Sequence, residues 1–399
     1  MEKKTAKLET HLPILPDHLI VEQILPRLPV KSLIRFKSVS KYWLSTISSN
    51  KFEKTHLKYS SSCPQCIMIE HLYLDGKNYL LSLDEYSDVK ELVKLECKYP
   101  LMIAPRPHSG GTFSSTYVIG SINGLVCLFD EYFCFYLWNP ATHQCHNADS
   151  PYLGHADSRE EVSIAGFGYI SSMDDYRIGC ICCAYDDEED EVVRHHVHVF
   201  SLRAGKWEKT ATLDENFYLS IDPEGLSVSV NDTIYWPPRV RQGGNGVGTH
   251  IDGLNLVSGQ LKKFSLKNVV IGYDEVDVFQ MEGCLSLSCI RYLKVDHVSD
   301  VWMLKQHDDW TSWEKIFSIN IGKTRLLYLF ETGKCLVVKD LEKLKLLDPS
   351  KVALEECEEG TVIRQGSEEE TSSYISQAWG YVESLMSPFG TTVSNEIGE

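Results

Sequence analysis

Residues Tyr117–Thr142 read YVIGSINGLVCLFDEYFCFYLWNPAT, and this stretch decides the fold. Two apolar runs, Tyr117–Ile122 and Leu125–Phe129, flank Asn123-Gly124, a dipeptide suited to a tight hairpin turn. A second hairpin follows, turning at Asn139-Pro140-Ala141-Thr142. The pattern recurs. Tight-turn signals return at Asp174-Asp175, Asn231-Asp232, Glu282-Gly283 and Thr332-Gly333, each between two apolar runs. The second hairpins turn at Arg203-Ala204-Gly205, Ser258-Gly259, Asp308–Ser312 and Asp348-Pro349-Ser350. A period of about 50 residues with two hairpins per unit describes a four-stranded propeller blade.

Working outward, Asp75-Gly76 opens a further, partial unit, which brings the total to about six blades. That unit needs a strand from elsewhere, and Gln377–Pro388 is the expected donor, because a terminal strand removes the exposed edge of an open ring. The expected fold is therefore mainly β: a kelch-like β-propeller of about six blades over residues 61–399, closed by a C-terminal strand. Within each unit the first and third turns share one face, and the second loop lies on the other. The long second loops Asp186–Glu191, Arg239–Thr249 and Arg291–Ser299 then gather on one rim, the usual location of binding residues on a rigid scaffold. Asp186, Glu191, Arg239, Arg241, Gly244, Arg291 and Tyr292 are the expected target-binding residues.

Residues 1–60 read differently, as short helices. Ile20, Val21, Ile24, Leu25 and Leu28 recur at helical spacing, and Pro26 should end that helix near Leu25. Pro29 stands where a second helix begins, carrying Val30, Leu33, Ile34 and Phe36. Ser40 is the expected N-cap of a third helix bearing Trp43, Leu44 and Ile47; Asn50 with Glu53 predicts a capping box for a fourth over Lys51–Leu57. Helices this short must pack on one another or on a partner, and their apolar residues exceed the needs of so small a core.

Leu15–Leu57, LPDHLIVEQILPRLPVKSLIRFKSVSKYWLSTISSNKFEKTHL, resembles an F-box at Leu15-Pro16, Ile24-Leu25, Leu28–Leu33, Arg35-Phe36, Val39–Lys41 and Trp43. His18, where that family commonly has an acidic residue, and Pro26 are mild departures. The remainder resembles the plant F-box-associated domain through Asn123–Cys127, Leu137–Thr142, Gly166–Tyr169, Asp175–Arg177, Ile234–Trp236 and Val382–Leu385. The resemblance implies a substrate-recognition subunit of a Skp-cullin-F-box (SCF) ubiquitin ligase, itself non-catalytic. It implies adaptor contacts at Leu15, Pro16, Leu19, Ile24, Leu25, Leu28, Pro29, Val30, Leu33, Ile34, Val39 and Trp43, some of which must instead form the module's own core. The partners implied are the Skp adaptor, through it a cullin, and a target protein. A non-degradative adaptor-binding scaffold, and a propeller-based glycan-binding protein or enzyme with a concave polar pocket at the ring centre, are the alternative readings.

Composition bounds these expectations. Hydrophobic content of 43% with 24% charged residues is globular. Net charge is −17, with +6 on residues 1–59 and −23 on the rest, which argues against wrapping nucleic acid. No apolar run reaches the roughly 20 residues of a membrane-spanning helix. Thirteen scattered cysteines suit buried thiols in the cytoplasm or nucleus. Cys63-Pro64-Gln65-Cys66 lacks the second pair of a zinc site, and Cys180, Cys182 and Cys183 read as core filler. His196 and His198 share one strand face, expected to be half-exposed. The acidic loop Asp186–Glu191 lacks the glycine and ligand spacing of a calcium loop, and Gly243–Gly248 does not lead a strand into a helix as a phosphate cradle does. No cofactor is expected.

Overall fold

Asn123 and Gly124 both take positive φ, 54° and 81°, so that Ile122 of one strand pairs with Leu125 of the next. The same two-residue turn is built at Asn231-Asp232 and Glu282-Gly283, with positive φ at all four residues. These are the turns that match the right-handed twist of their strands. At Asp174-Asp175 the turn differs from expectation: Asp174 ends a four-residue loop, 171–174, and Asp175 already opens the next strand.

The computed structural model describes residues 15–60, 66–73, 78–84, 93–95, 116–130, 133–151, 160–185, 192–213, 226–238, 247–294, 296–330, 335–339, 343–347, 361–363 and 373–389. The expected turns at Asp75-Gly76, Thr332-Gly333 and Asp348–Ser350 lie outside them.

Four short helices come first: α1 (Asp17–Leu19), α2 (Val30–Phe36), α3 (Lys41–Ile47) and α4 (Asn50–Ser60). Among the described residues, 24 strands then form six antiparallel four-stranded sheets. The first holds β1 (Cys66–Tyr73), β2 (Asn78–Asp84) and β3 (Val93–Leu95). The second holds β4 (Thr116–Ile122), β5 (Leu125–Asp130), β6 (Phe135–Asn139) and β7 (Gln144–Asp149). The third has β8 (Glu160–Ile170), β9 (Asp175–Tyr185), β10 (Val192–Ser201) and β11 (Lys206–Leu213). The fourth has β12 (Val228–Val230), β13 (Thr233–Trp236), β14 (His250–Asn255) and β15 (Leu261–Ser265), followed by helix α5 (Lys267–Val270). The fifth comprises β16 (Glu275–Met281), β17 (Cys284–Tyr292), β18 (His297–Leu304) and β19 (Trp313–Gly322). The sixth comprises β20 (Arg325–Leu329), β21 (Cys335–Lys339), β22 (Lys343–Leu347) and β23 (Thr361–Ile363).

The last strand, β24 (Ser373–Tyr381), joins the first sheet beside β1. The C-terminal donor is thus found, with one correction: it leaves the sheet after Tyr381, so residues 382–388 are not strand. Leading strands touch in cyclic order, β4 with β8, β8 with β12, β12 with β16, β16 with β20, β20 with β24 and β24 with β4. Apolar side chains fill the spaces between sheets; one cluster sets Leu125, Cys127 and Phe135 against Phe167, Ile178 and Phe200.

Candidate docking surfaces

The helical module departs locally from a regular helix for a reason its prolines supply. After α1 the chain widens into a π-turn, Ile20–Ile24, and then tightens into a 3-10 turn, Leu25–Arg27, rather than running as one helix to Leu25. Pro26 has no N–H to donate and its ring crowds the carbonyl four residues earlier, so the regular ladder cannot pass through it. Pro29 caps α2, and the Ser40 hydroxyl accepts from the Trp43 N–H at 3.1 Å to cap α3. The cap of α4 is Ser49 and not Asn50: its hydroxyl accepts from the Phe52 N–H at 3.3 Å, and the helix runs from Asn50 to Ser60.

Burial divides the expected adaptor residues into two sets. Leu25, Val30 and Leu33 are buried with Ile47 and Phe52 in the module's own core. Leu28 and Trp43 are half-buried against it, Trp43 edge-on to Phe36 with ring centres 5.6 Å apart. Leu15, Pro16, Leu19, Ile24, Pro29, Ile34 and Val39 are exposed. Tyr42 and Leu44, not among the expected contacts, are exposed as well. Their signal was available, since the face of α3 that holds Ile47 and Trp43 leaves both on the outside.

The module's core is completed from far along the chain. Leu385 lies inside it, and Ala141 of the β6–β7 turn packs on it. The segment after β24 is fastened to the sheets: Asn139 Nδ2 donates to the carbonyls of Ser384 (3.0 Å) and Met386 (2.8 Å), and Ser384 Oγ donates to the Asn123 carbonyl at 2.7 Å. Gly124 is needed here twice over. Its φ is +81°, and a Cβ would stand 2.3 Å from Ser384 Oγ.

Lys54 of α4 pairs with Asp174 at the β8–β9 turn, and the Lys54 ammonium and Tyr169 hydroxyl hold the Asp174 carboxyl below its usual range against partial burial. Burial in this joint pushes the Glu53 carboxyl up to about 7, although Lys37, Lys54 and the Ser387 N–H favour its charged form. His56, buried, meets the Leu28 carbonyl through Nε2 at 2.9 Å, and its pKa is lowered by that burial. The helices therefore sit on the first- and third-turn ends of the second and third sheets.

The second loops lie at the opposite ends. The first-turn residues Asn123, Ser171, Asn231 and Asp232 line one common cavity, which places the first turns of the second, third and fourth sheets on the same side. Of the expected target-binding residues, Asp186, Glu191, Arg239, Arg241 and Gly244 lie outside the described residues. Arg291 and Tyr292 are described, and they end strand β17 instead of lying in a loop. Of the loop expected over Arg291–Ser299, Arg291, Tyr292 and 297–299 are strand instead, because Tyr292 pairs with His297 across the ladder. Arg291 donates to Asp300 at 2.9 Å and lies over the Tyr273 ring.

The F-box domain family matches residues 12–55, and the family of the F-box associated beta propeller domain matches residues 100–388. The chain belongs to the F-box-associated family. An F-box protein of Arabidopsis thaliana, At4g22390, is 28% identical over 76% of this chain and 73% of its own length; the Arabidopsis F-box protein CPR1 is 28% identical over the same shares. An Arabidopsis F-box/kelch-repeat protein, At3g23880, is 26% identical over 75% of this chain and 78% of its own.

Within the F-box-associated domain, the cavity of about 800 Å³ between the leading strands is lined by hydroxyls and amides, among them Ser121, Ser227, Ser229 and Gln280, with Asp232 the one carboxylate. The lining residues hold no second carboxylate and no histidine, lysine or cysteine to pair with Asp232. The cysteine and histidine run sits elsewhere, inside the third sheet. Cys180, Cys182 and Cys183 are buried, as core filler should be. The Cys183 thiol meets Ser163 Oγ at 2.6 Å and His195 Nδ1 at 3.2 Å. Burial raises the Cys183 pKa, the opposite of what an activated nucleophile needs. The half-exposed histidine face is corrected: His198 is buried, which pushes its pKa down to about 4, and His196 is half-buried, its ring centre 6.3 Å from that of His198. Packing between neighbouring sheets covers the face that alternation alone left open. Among the described residues no group of three or more His, Cys, Asp or Glu is placed to hold a metal, and no helix is long and apolar enough to cross a membrane.

Proposed function

We propose that the protein is the substrate-recognition subunit of an SCF-type E3 ubiquitin ligase, acting in the cytoplasm or nucleus. The observation that carries this reading is the unsatisfied surface of the F-box. Seven large apolar side chains, Leu15, Leu19, Ile24, Ile34, Val39, Tyr42 and Leu44, stand exposed within thirty residues while a separate set fills the core. Exposed apolar surface of this density marks a protein interface. The Skp adaptor covers it, and a cullin follows through the adaptor.

In this reading the six sheets are the blades of a closed kelch-like β-propeller, supported by the cyclic contacts of the leading strands and by the β24–β1 pairing. The target binds on the face away from the helices. The joint through Leu385, Asn139 and Ser384 makes handle and receptor one body, so that a bound target is held beside the ubiquitin-charged conjugating enzyme at high effective concentration. The receptor needs no chemistry of its own.

The test is co-purification of the adaptor with Ile34→Asp/Val39→Asp in the full chain, followed by ubiquitylation of a bound partner with the complete ligase. Loss of the adaptor with an unchanged melting temperature supports the docking surface; retained binding refutes it. Adaptor binding without ubiquitylation of any bound partner would favour the non-degradative scaffold.

A further inference from the structure

The leading strands lend their later residues to the wall of the cavity of about 800 Å³. Gly120–Ile122 of β4, Val278–Gln280 of β16 and Ala378–Gly380 of β24 line it, while Thr116, Glu275 and Ser373, where those strands start, do not. Ser171 and Asn231, both exposed first-turn residues, line it as well. The cavity therefore opens among the first turns, on the side of the helices and not on the face proposed for the target. Its volume lies within the roughly 300–1,000 Å³ of small-molecule sites.

The chemistry of the wall selects a class of ligand. Ser227, Ser229, Asn231 and Gln280 bring hydroxyls and amides, groups that both donate and accept. Tyr169 and Tyr328, half-buried, add aromatic surface; the Tyr328 hydroxyl lies over Gly380, 2.5 Å from where a Cβ would stand. Among the described residues no Lys, Arg or His lines the cavity, and Asp232 is its one carboxylate, in a domain that carries −23. Phosphates and carboxylates are repelled by such a field and find no basic partner. A neutral polyhydroxyl compound finds a partner for each O–H, donor and acceptor at once, and aromatic surface for its C–H face.

Two polar atoms of wall residues are left unpaired. Ser121 Oγ and Trp379 Nε1 are buried with no hydrogen-bond partner among the described residues. Native folds rarely leave such groups alone, because each costs its own desolvation.

The rim of the cavity is shared with the joint to the helical module. Val382 lines it, the Asn123 carbonyl accepts from Ser384 Oγ at 2.7 Å, and the Tyr169 hydroxyl donates at 2.8 Å to Asp174, the partner of Lys54. A molecule seated there touches the residues that fasten α4 and the segment after β24.

We propose that this cavity binds a small neutral saccharide, and that its occupancy steadies the joint. The site goes beyond the receptor reading and does not rest on it.

The full chain is screened by saturation-transfer NMR against glucose, galactose, mannose, xylose, sucrose and maltose, and the binders are titrated by calorimetry. At least one should bind, and its uronic acid or phosphate ester about tenfold or more weakly. Ser229→Ala/Gln280→Ala should cost about tenfold in affinity, the loss of two hydrogen bonds, with an unchanged melting temperature. Gln280→Ala alone, at an exposed position, keeps the test if the double variant is unstable. Bound sugar should slow amide hydrogen exchange at residues 382–389. Binding by none of the six, equal binding of neutral and anionic forms, or affinity indifferent to both variants overturns the site. A tenfold preference for glucosamine over glucose overturns it too, since the ligand is then a cation, and unchanged exchange at 382–389 removes the coupling to the joint. The same sugar coupled to albumin separates two sources of the ligand: tighter binding than the free sugar identifies a glycan on a protein, and equal or weaker binding a free saccharide.

Discussion

The helical module and the sheets use apolar residues in opposite ways. The module exposes seven large apolar side chains between Leu15 and Leu44. Among the other residues whose burial is described, the exposed large apolar side chains are Met173, Val257, Ile271, Tyr292, Leu293, Ile316 and Phe389. In the sheets alternation sends side chains to two faces, and neighbouring sheets cover both. In the module the helices are too short to wrap their own stripe, and the second half of the apolar surface is left over. The difference teaches where to look for partners: broadly over the module, and only at isolated points of the sheets.

Two substitutions one residue apart on α2 break this comparison most sharply. Leu33→Ala removes a side chain with no exposed surface from the module core and should cost about 2–5 kcal/mol in stability, read from chemical denaturation. Ile34→Asp, exposed, should leave that stability within about 0.5 kcal/mol while reducing adaptor affinity about a hundredfold or more in a titration calorimeter. Equal effects on both quantities by both variants would erase the division between core and surface.

Gly124→Ala addresses the joint between the two regions. A methyl group there meets Ser384 and the Val382 carbonyl at positive φ, so a loss of about 1–3 kcal/mol is expected. Added protease sensitivity after Tyr381 in the variant would locate that loss at the joint.

The Glu53 carboxyl, lifted to about 7 by burial, sharpens the comparison through pH. Its folded pKa lies above the usual value of 4.5, so the unfolded chain ionises first as pH rises. The joint is favoured below pH 4.5, weakens as pH climbs to 7, and stays weakened above that. Glu53→Gln should therefore remove this slope and stabilise the protein at pH 8 by about 1–2 kcal/mol, with no gain at pH 4.5. A Gln variant no more stable than wild type at pH 8 would contradict the burial cost. The smallest effect is that of Ser40→Ala, which removes the cap of α3 and should cost about 1 kcal/mol.

Much of the fold is legible in the residues themselves. Asn123-Gly124 and Asn231-Asp232 named their own turns because few residues tolerate positive φ at two successive positions. The period of the turns named a repeat, and Ser40 named its cap. Other features were not legible. Asn50 with Glu53 has capping-box spacing, yet Ser49, one position earlier, was geometrically able to do the work. Arg291 and Tyr292 looked like loop residues because a polar run after a strand resembles a turn, whereas their ladder to His297 and Val298 depends on the partner strand. Alternation alone leaves the His198 face half-exposed, whereas in the fold His198 is buried.

The sequence by itself determined the element types, the turns and the repeat, because these rest on local φ preferences and on spacings of a few residues. Tertiary structure alone decided which apolar residues of the F-box are core, that Leu385 would complete that core from the other end of the chain, and that Asn139 would tie the segment after β24 to the second sheet. Those outcomes depend on contacts between segments tens to hundreds of residues apart. No local pattern encodes them, since a leucine has the same periodicity whether its neighbour is its own chain or a partner.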